Sequence, residues 1–269
     1  MKKISRRDVL AGLAAGAPFR FALIGDRTGR AQGNVYERVW AEVAASKPDF
    51  VVSIGDTTEG LNDATVDAEW DAIEKSTLKM YKTFPFYHVA GNHDVWSEKF
   101  ERVYERRTGR PVRYSFERSG AGFVVLDNSR SDALSESEMA YCDRELTRLG
   151  MARPKFVFLH RPSWLIPVRM GMGAHPFVRL MEKHRVDYVF SGHVHQFLSL
   201  ERAGVRYVMV GSSGGSMDRG VSGGFREGWF YHWLDVTVVG AVVTVSVREL
   251  AGRRTALEEW GPDGYAGRR

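Results

Sequence analysis

The stretch Phe86-Tyr-His-Val-Ala-Gly-Asn-His-Asp94 joins a short apolar run to a glycine and then to amide, imidazole and carboxylate side chains. An apolar run of this length that ends at a turn residue is typical of a buried strand. The glycine permits a sharp turn or a close approach of the backbone. The stretch therefore predicts a buried strand that delivers Asn92, His93 and Asp94 to one edge of a sheet.

Four more apolar runs end in the same way, each at a side chain that can bind a metal ion. Their endings are Gly25-Asp26, Gly55-Asp56, His160 and Gly192-His193-Val194-His195. Open α/β sheets bind ligands at the carboxyl ends of their strands, where loops from several strands converge. One such ending would be explained by a turn and a helix cap. Five endings with these residue types indicate a shared site.

The candidate ligands form a mixed set of oxygen and nitrogen donors. Such a set suits Mn, Fe or Zn better than Mg or Ca, which prefer oxygen alone. The pair His193 and His195 is compatible with two geometries. A bent loop would aim the two imidazoles at different ions, whereas a regular strand would place both on one face.

Four blocks occur in an order that resembles the calcineurin-like metallophosphoesterases. They are Gly55-Asp56-x-x-Glu59, Gly91-Asn92-His93-Asp94, a lone His160 after an apolar strand, and Gly192-His193-x-His195. The resemblance spans roughly residues 19–215. It implies an α/β fold, a four-layer α/β/β/α sandwich of two mixed sheets, with a dinuclear metal centre.

The resemblance also implies a role for each candidate ligand. Asp56 would bridge both ions. Asp26 and His195 would complete the first site, and Asn92, His160 and His193 would complete the second. One position departs from the family pattern, because Thr28 stands where a histidine is usual. Threonine is a poorer ligand than imidazole, so we expect the first ion to be bound more weakly or to be a harder metal.

Four residues are candidates for work on the substrate itself. The resemblance implies that His93 is the acid that protonates the leaving oxygen and that Asp94 orients its ring. Arg27 and Arg161 flank proposed ligands. Each would grip phosphate oxygens or, equally well, form a surface salt bridge.

Apart from the resemblance, the order of the apolar segments also indicates an α/β protein. Strand-like and helix-like segments alternate at first, and from Phe197 onward strand-like segments follow one another. This order suggests a layered protein with two sheets. We assign residues 18–249 to one metallophosphoesterase domain and residues 250–269, with Arg253, Arg254, Arg268 and Arg269, to a C-terminal tail.

The net charge of +5 invites a nucleic-acid partner, but residues 1–17 alone carry +3. The near-neutral remainder argues against such a partner and against a nuclease. The single cysteine, Cys142, excludes a disulfide within the chain, and we expect its thiol to be buried. No apolar stretch is long enough for a permanent membrane anchor.

Residues 1–17 combine a basic start with a short apolar run that ends in Ala-x-Ala. Ser5-Arg6-Arg7-Asp8 resembles a twin-arginine export signal, so we expect a periplasmic or extracellular protein. The alternative is a frayed N-terminal helix on a cytoplasmic protein.

The sequence therefore predicts a phosphomonoesterase or phosphodiesterase that uses two divalent ions, Mn, Fe or Zn, on a small phosphoester. The alternatives are a nuclease and a metal-binding protein that has lost activity through Thr28. A serine hydrolase is disfavoured because no Gly-x-Ser-x-Gly motif occurs. Neither the substrate nor the oligomeric state follows from these residues.

Overall fold

Two mixed sheets of six strands form the framework of the protein. The structure is a computed structural model that describes residues 16–217 and 224–260. The first sheet has the order β12-β11-β10-β1-β2-β3. Its strands are β1 (Phe19–Ile24), β2 (Phe50–Ser53), β3 (Phe86–His88), β10 (His232–Val239), β11 (Val242–Glu249) and β12 (Arg254–Ala256).

The second sheet has the order β4-β5-β6-β7-β9-β8. Its strands are β4 (Tyr114–Arg118), β5 (Ala121–Val125), β6 (Lys155–Phe158), β7 (Tyr188–Ser191), β8 (Leu198–Arg202) and β9 (Val205–Met209). Strands β1, β2 and β3 are parallel to one another, and so are β5, β6, β7 and β9. Each sheet thus presents several carboxyl ends at one edge.

Helices connect the parallel strands. They are α1 (Val35–Ser46), α2 (Val66–Tyr81), α3 (Glu98–Thr108), α4 (Glu136–Leu149), α5 (Leu165–Arg169) and α6 (Pro176–Lys183), with short 3-10 helices at Phe225–Glu227 and Leu257–Glu259. The Ser135 side chain caps α4 by accepting from the Glu138 N–H. None of the helices described is both long and apolar enough to cross a bilayer.

Aromatic side chains fill the space between the sheets. Phe21 and Phe50 of the first sheet stack with ring centroids 5.0 Å apart, and Phe123 and Phe156 of the second sheet do the same at 5.0 Å. Phe21 meets Phe156 edge to face across the interior, with centroids 5.5 Å apart. Burial of such large rings is a major source of stability.

Helices cover the outer face of each sheet. Alternation along β1 points Phe21 inward and Ala22 outward, where Trp40 of α1 packs against the first sheet. Cys142 of α4 is buried against the outer face of the second sheet, as expected. The prediction of a four-layer α/β/β/α sandwich of two mixed sheets is therefore confirmed.

The folded region extends beyond the predicted boundary at residue 249. Strand β12 pairs with β11, and Leu257 and Trp260 are buried in the interior. The arginines at 253 and 254 therefore belong to folded structure, because the apolar side chains that follow them pack onto the core. Residues 1–15 and 261–269 lie outside the described residues, so the export signal stays a prediction. The sequence analysis did not predict the short helix α5.

His232 links the first sheet to the loop that follows β9. Its Nδ1–H donates to the carbonyl oxygen of Phe230 at 2.9 Å, and its Nε2 accepts from the N–H of Gly211 at 3.2 Å. The ring is fully buried, and burial lowers the pKa of His232 to about 4. The neutral ring is thus the form that the fold requires.

We expect His232→Gln to make the fold less sensitive to acid. The pKa of the imidazole is 6.5 in the unfolded chain and about 4 in the folded protein. Its stabilising effect is therefore complete above pH 6.5 and declines as the pH falls toward 4, by on the order of 3 kcal/mol.

Urea unfolding in the presence of a chelator, at about pH 7.5 and about pH 5, measures this effect. The loss of stability on acidification should be smaller in His232→Gln than in the parent or in the control His184→Gln, which replaces a histidine outside this contact. Equal losses in all three proteins would contradict the assignment.

Candidate metal centre

The carboxyl ends of the parallel strands of both sheets open onto one edge of the molecule. Asp26, Asp56 and Asn92 follow β1, β2 and β3 of the first sheet, and His160 and His193 follow β6 and β7 of the second. Short contacts of His160 with Asn92 and Asp56 join the two groups. The candidate ligands therefore come from both sheets and meet where the sheets adjoin.

His160 lies at the centre of this cluster and is fully buried. Its Nδ1–H donates to the carbonyl oxygen of Ile54 at 2.9 Å, which fixes the tautomer. Its Nε2 lies 3.1 Å from Oδ1 of Asn92 and 3.2 Å from Oδ2 of Asp56. Because both neighbours are oxygen acceptors, Nε2 must share either a proton or a cation with them.

Asp56, His160 and His193 each place one donor atom within 4.8 Å of the others. The amide oxygen of Asn92 adds a fourth donor next to His160. Two oxygens and two imidazole nitrogens are a set that suits Mn, Fe or Zn. The residues present therefore fit a divalent ion, although ligation by each of them stays a prediction.

The pKa values within the cluster show how its charges are balanced. Burial alone would lower the pKa of His160, but the carboxylates of Asp56 and Asp26 outweigh it and raise that pKa to about 9. Burial would raise the pKa of Asp56, but His160 holds it well below its usual range. A proton on His160 thus balances the charge of Asp56, and a metal ion would take the place of that proton.

Asp26 lies beside this pair. Burial, opposed by His160 and reinforced by Asp56, raises the pKa of Asp26 to about 8. Its two carboxylate oxygens accept from the backbone N–H of His193 at 3.2 and 3.1 Å, and its Oδ1 lies 3.8 Å from Nδ1 of His160. Asp26 is therefore part of the same buried cluster and is held there by the loop after β7.

Three candidate ligands have left-handed backbone conformations. The φ angle is 54° at Asp56, 72° at His193 and 63° at His195. Residues other than glycine rarely adopt this region, and those that do are concentrated at functional sites. Because β7 ends at Ser191, the two histidines lie on a bent loop, which is one of the two geometries that the sequence left open.

Gly91 allows the loop after β3 to touch the loop after β2. A Cβ atom at this position would lie 2.2 Å from both the backbone nitrogen and Oδ1 of Asp56. Real Cβ atoms do not approach so closely, so no larger residue fits without moving Asp56. The glycine of the Gly-Asn-His-Asp block is therefore required by close approach of two loops.

Arg161 lies at the rim of the cluster. Its Nη1 contacts Nε2 of His193 at 3.3 Å and Oδ1 of Asp132 at 2.8 Å. Burial, His160 and Arg161 together lower the pKa of His193 to about 4, so this ring is neutral, which is the form that binds metals. Arg161 thus forms the surface ion pair considered above and also reaches a candidate ligand.

His195 is held by the loop that follows β9. Its Nδ1–H donates to the carbonyl oxygen of Ser216 at 2.7 Å. Gly29 and Gly215 leave room for its ring, because a Cβ atom at these positions would lie 2.9 and 2.6 Å from Cε1. Its assignment to the first ion stays a prediction, and Nε2 is the nitrogen that keeps a lone pair for such an ion.

His93 and Asp94 have different partners from those expected. Nδ1 of His93 donates to the carbonyl oxygen of Glu59. The oxygens of Asp94 accept instead from three backbone N–H groups at 2.8 to 3.0 Å, those of Thr57, Thr58 and Gly91. The prediction that Asp94 orients the ring of His93 is therefore wrong. The Glu59 carbonyl orients it, because Asp94 is committed to fixing the loop after β2.

Thr28, at the position of the expected histidine, is fully buried. Its N–H donates to the carbonyl oxygen of Asp56 at 3.1 Å, so it ties the loop after β1 to the loop after β2. Arg27 donates from Nη1 to the carbonyl oxygen of Thr57 at 3.0 Å across the same two loops. The loops that carry Asp26 and Asp56 are thus held together by hydrogen bonds from both residues.

The sequence analysis missed Asn128, which supports the rim of the site. Its Oδ1 accepts from the Arg161 N–H at 3.0 Å, and its Nδ2 donates to the Arg161 carbonyl oxygen at 2.7 Å and to Oγ of Ser163 at 2.9 Å. Asn128 follows β5, which is parallel to β6. The strand-end rule that selected the other residues would have selected it too.

The sequence around this site matches a known protein family. The model of the calcineurin-like phosphoesterase family matches residues 19–197, more than half of the chain. The chain belongs to this family. All six candidate metal ligands of this calcineurin-like phosphoesterase fall inside the matched region, and so do His93 and Arg161.

Sequence relatives of this family member include two purple acid phosphatases. Purple acid phosphatase 23 of Arabidopsis thaliana is 24% identical over 56% of this chain and 38% of its own length. The purple acid phosphatase of Glycine max is 24% identical over 72% of this chain and 46% of its own length. The chain thus spans less than half the length of the curated relatives it matches.

Solved structures share the fold at lower identity. Purple acid phosphatase PPD1 from yellow lupin seeds superposes with a TM-score of 0.68 at 14% identity, over 90% of this chain and 53% of its own. GAP50, the anchor in the inner membrane complex of Plasmodium, gives 0.63 at 18% identity, over 89% and 88%. A dimetal phosphatase from Danio rerio gives 0.60 at 11% identity, over 88% and 98%. These similarities show the fold alone.

Two isosteric substitutions in the buried cluster should distinguish the roles of its two carboxylates in metal binding. We expect Mn²⁺ or Zn²⁺ to raise the melting temperature of the parent protein by several degrees, because the ion binds only the folded state. Asp56→Asn should lose that increase, since Asp56 lies directly beside Nε2 of His160. Asp26→Asn should retain at least part of it.

Thermal unfolding with and without a chelator, together with elemental analysis, measures both effects. Metal-induced stabilisation of Asp56→Asn equal to that of the parent would show that Asp56 is not a ligand.

Proposed function

We propose that this protein is a metal-dependent phosphoester hydrolase that uses a dinuclear centre to activate water. The observation that carries the proposal is the buried Nε2 of His160, which faces two oxygen acceptors and requires a cation or a proton between them. The family membership supports the same reaction class. The natural ligand for such a centre is a small phosphoester.

The residues fall into two sets around Asp56. Asn92, His160 and His193 would hold one ion with it, and Asp26 and His195 would hold the other. When bound, such ions supply positive charge for the phosphoryl oxygens and make water acidic enough to act as a nucleophile near neutral pH. His195 would have to reach its ion through Nε2, because Nδ1 is committed to Ser216.

His93 is the proposed leaving-group acid. Its backbone N–H donates to Oδ1 of Asp56 at 2.9 Å, so the residue lies beside the cluster. Since Nδ1–H is held by the Glu59 carbonyl, Nε2 is the nitrogen that can deliver a proton to the leaving oxygen. The doubly protonated ring can thus donate while keeping its orientation.

Arg27 and Arg161 are the proposed phosphate contacts. Arg161 already lies at the rim, and its partner Asp132 has an 87% exposed side chain, so water screens their ion pair. A phosphate offers the guanidinium two oxygens in a fork geometry, which is a stronger interaction. Arg161 can therefore exchange Asp132 for the substrate at little cost.

A second candidate is a metal-binding protein without catalytic activity. Thr28 favours it, because the family's usual histidine is missing from the first-ion set. The two candidates differ in the number of ions bound and in turnover.

We expect purified protein to bind two ions per chain and to hydrolyse p-nitrophenyl phosphate or bis-p-nitrophenyl phosphate. Elemental analysis and release of nitrophenolate measure these quantities. Asp56→Asn is the matched inactive control. One bound ion and no turnover of either ester would select the second candidate.

We expect His93→Ala to slow poor leaving groups far more than good ones. An alkoxide needs a proton as it departs, whereas nitrophenolate does not, so the loss should be about 100-fold or more for an alkyl phosphate and less than about tenfold for p-nitrophenyl phosphate. Steady-state kcat values on both esters measure the difference.

His184→Ala serves as the control, because His184 pairs with Asp143 and is not one of the proposed site residues. Losses of the same size on both esters would rule out an acid role for His93.

A further inference from the structure

A large groove opens beside the candidate metal centre, between the loop after β5, helix α4 and the segment that contains α5 and α6. Its volume is about 770 Å³, within the range of sites that hold small organic ligands. Its walls are mainly apolar, and they include Leu134, Met139, Ile166, Pro167, Met172 and Phe177. We call it the α5 groove.

Apolar side chains at the α5 groove are unusually open to solvent. Ile166 is 63% exposed and Met172 is 48% exposed, and Met170 between them is 69% exposed. Exposed apolar side chains that cluster in this way often mark a binding surface. The segment from Ile166 to Met172 thus presents apolar surface that the described part of the chain does not cover.

Three polar residues connect the α5 groove to the candidate metal centre. Asp132 and Ser163 line the groove. Nη1 of Arg161 lies 2.8 Å from Oδ1 of Asp132 and 3.3 Å from Nε2 of the candidate ligand His193. A single guanidinium therefore separates the apolar walls from the cluster where a phosphate would be bound.

The rim between the two compartments is fixed by hydrogen bonds. Asn128 bonds both the N–H and the carbonyl group of Arg161 and also Oγ of Ser163, and that hydroxyl donates to the carbonyl oxygen of Asp132. The same hydrogen bonds thus fix the position of the Arg161 backbone and the mouth of the groove. A ligand that spans them would need an anionic head and an apolar arm.

We propose that the α5 groove binds the apolar arm of the substrate, so that the enzyme selects phosphoesters of alkyl or similar apolar groups. The phosphate lies at the metal centre with Arg161 at its side, and the arm runs along Ile166 and Met172. This inference rests on the proposed hydrolase function, because it assigns a substrate class to the same site. A second copy of the chain is the competing occupant.

The test is a series of linear alkyl monophosphates from ethyl to octyl, or of p-nitrophenyl alkyl phosphodiesters with the same arms if diesters are the better substrates. The chemistry at phosphorus stays nearly constant along such a series. Each buried methylene favours binding, so we expect kcat/KM to rise about tenfold or more from butyl to octyl. A flat series would overturn the proposal.

Two methionine substitutions locate the effect. Met172→Glu places a charge in the α5 groove and should bring the octyl-to-butyl ratio of kcat/KM close to one. Met151→Glu changes a 93% exposed methionine outside the groove and should leave the ratio as in the parent. Equal ratios in the two variants would overturn the assignment.

Binding without turnover separates this proposal from the proposed function. Calorimetry of metal-loaded protein with octylphosphonate and ethylphosphonate should show tighter binding of the longer arm, and Met172→Glu should lose that preference. If neither ester class is hydrolysed, the hydrolase function fails, yet a preference for octylphosphonate would still support the groove. A concentration-dependent dimer in sedimentation experiments that Met172→Glu dissolves would assign the groove to a second copy and overturn the proposal.

Discussion

Two carboxyl groups buried side by side can both be ionised only if positive charge balances them, and this requirement organises the site. Asp26 and Asp56 are both buried next to the ring of His160. In a medium of low polarity such a pair cannot remain fully ionised without a cation. His160 supplies one positive charge when protonated. A divalent ion supplies more and also satisfies the lone pairs that surround Nε2 of this histidine.

The rest of the local structure follows from bringing these groups together. Three features bring together loops that leave separate strands. They are the close contact of Gly91 with Asp56, the left-handed conformations at Asp56 and His193, and the hydrogen bond from the His193 N–H to Asp26. Residues in such conformations raise the energy of the folded state locally. The aromatic packing between the sheets offsets that cost, because it holds the strand ends in place independently of the loops.

Local patterns were sufficient to predict a layered α/β protein with two sheets and the residues at the strand ends, whereas the four-layer order came from the family resemblance. An apolar run followed by glycine and a ligand marks where a strand stops, as at Gly55-Asp56, and parallel strands bring such points to one edge. The directions of side chains beyond that point depend on the loop conformation. For this reason Asp94 was assigned to the ring of His93, which it does not contact in the structure. The α5 groove was not predictable, since its walls come from segments that share no spacing.

The similar solved structures illustrate why the site has to carry the functional argument. A purple acid phosphatase and the anchor of the Plasmodium inner membrane complex superpose on this chain about equally well, with TM-scores of 0.68 and 0.63. One is a phosphatase and the other an anchor, so the shared sandwich does not by itself determine function. What distinguishes them must lie in the side chains at the strand ends and in the surfaces around them.

The origin of the ligands in both sheets has a mechanical consequence. Asp56 and Asn92 belong to one layer, whereas His160 and His193 belong to the other, so an ion bound by all four candidate ligands would cross-link the two halves of the sandwich. Aromatic packing between the layers is non-directional and tolerates small sliding movements, but coordination bonds have fixed lengths and angles. Ion occupancy and the packing of the interior would then be thermodynamically linked. A substitution such as Phe123→Leu, within the aromatic core, would alter metal affinity to the extent that it shifted one layer against the other.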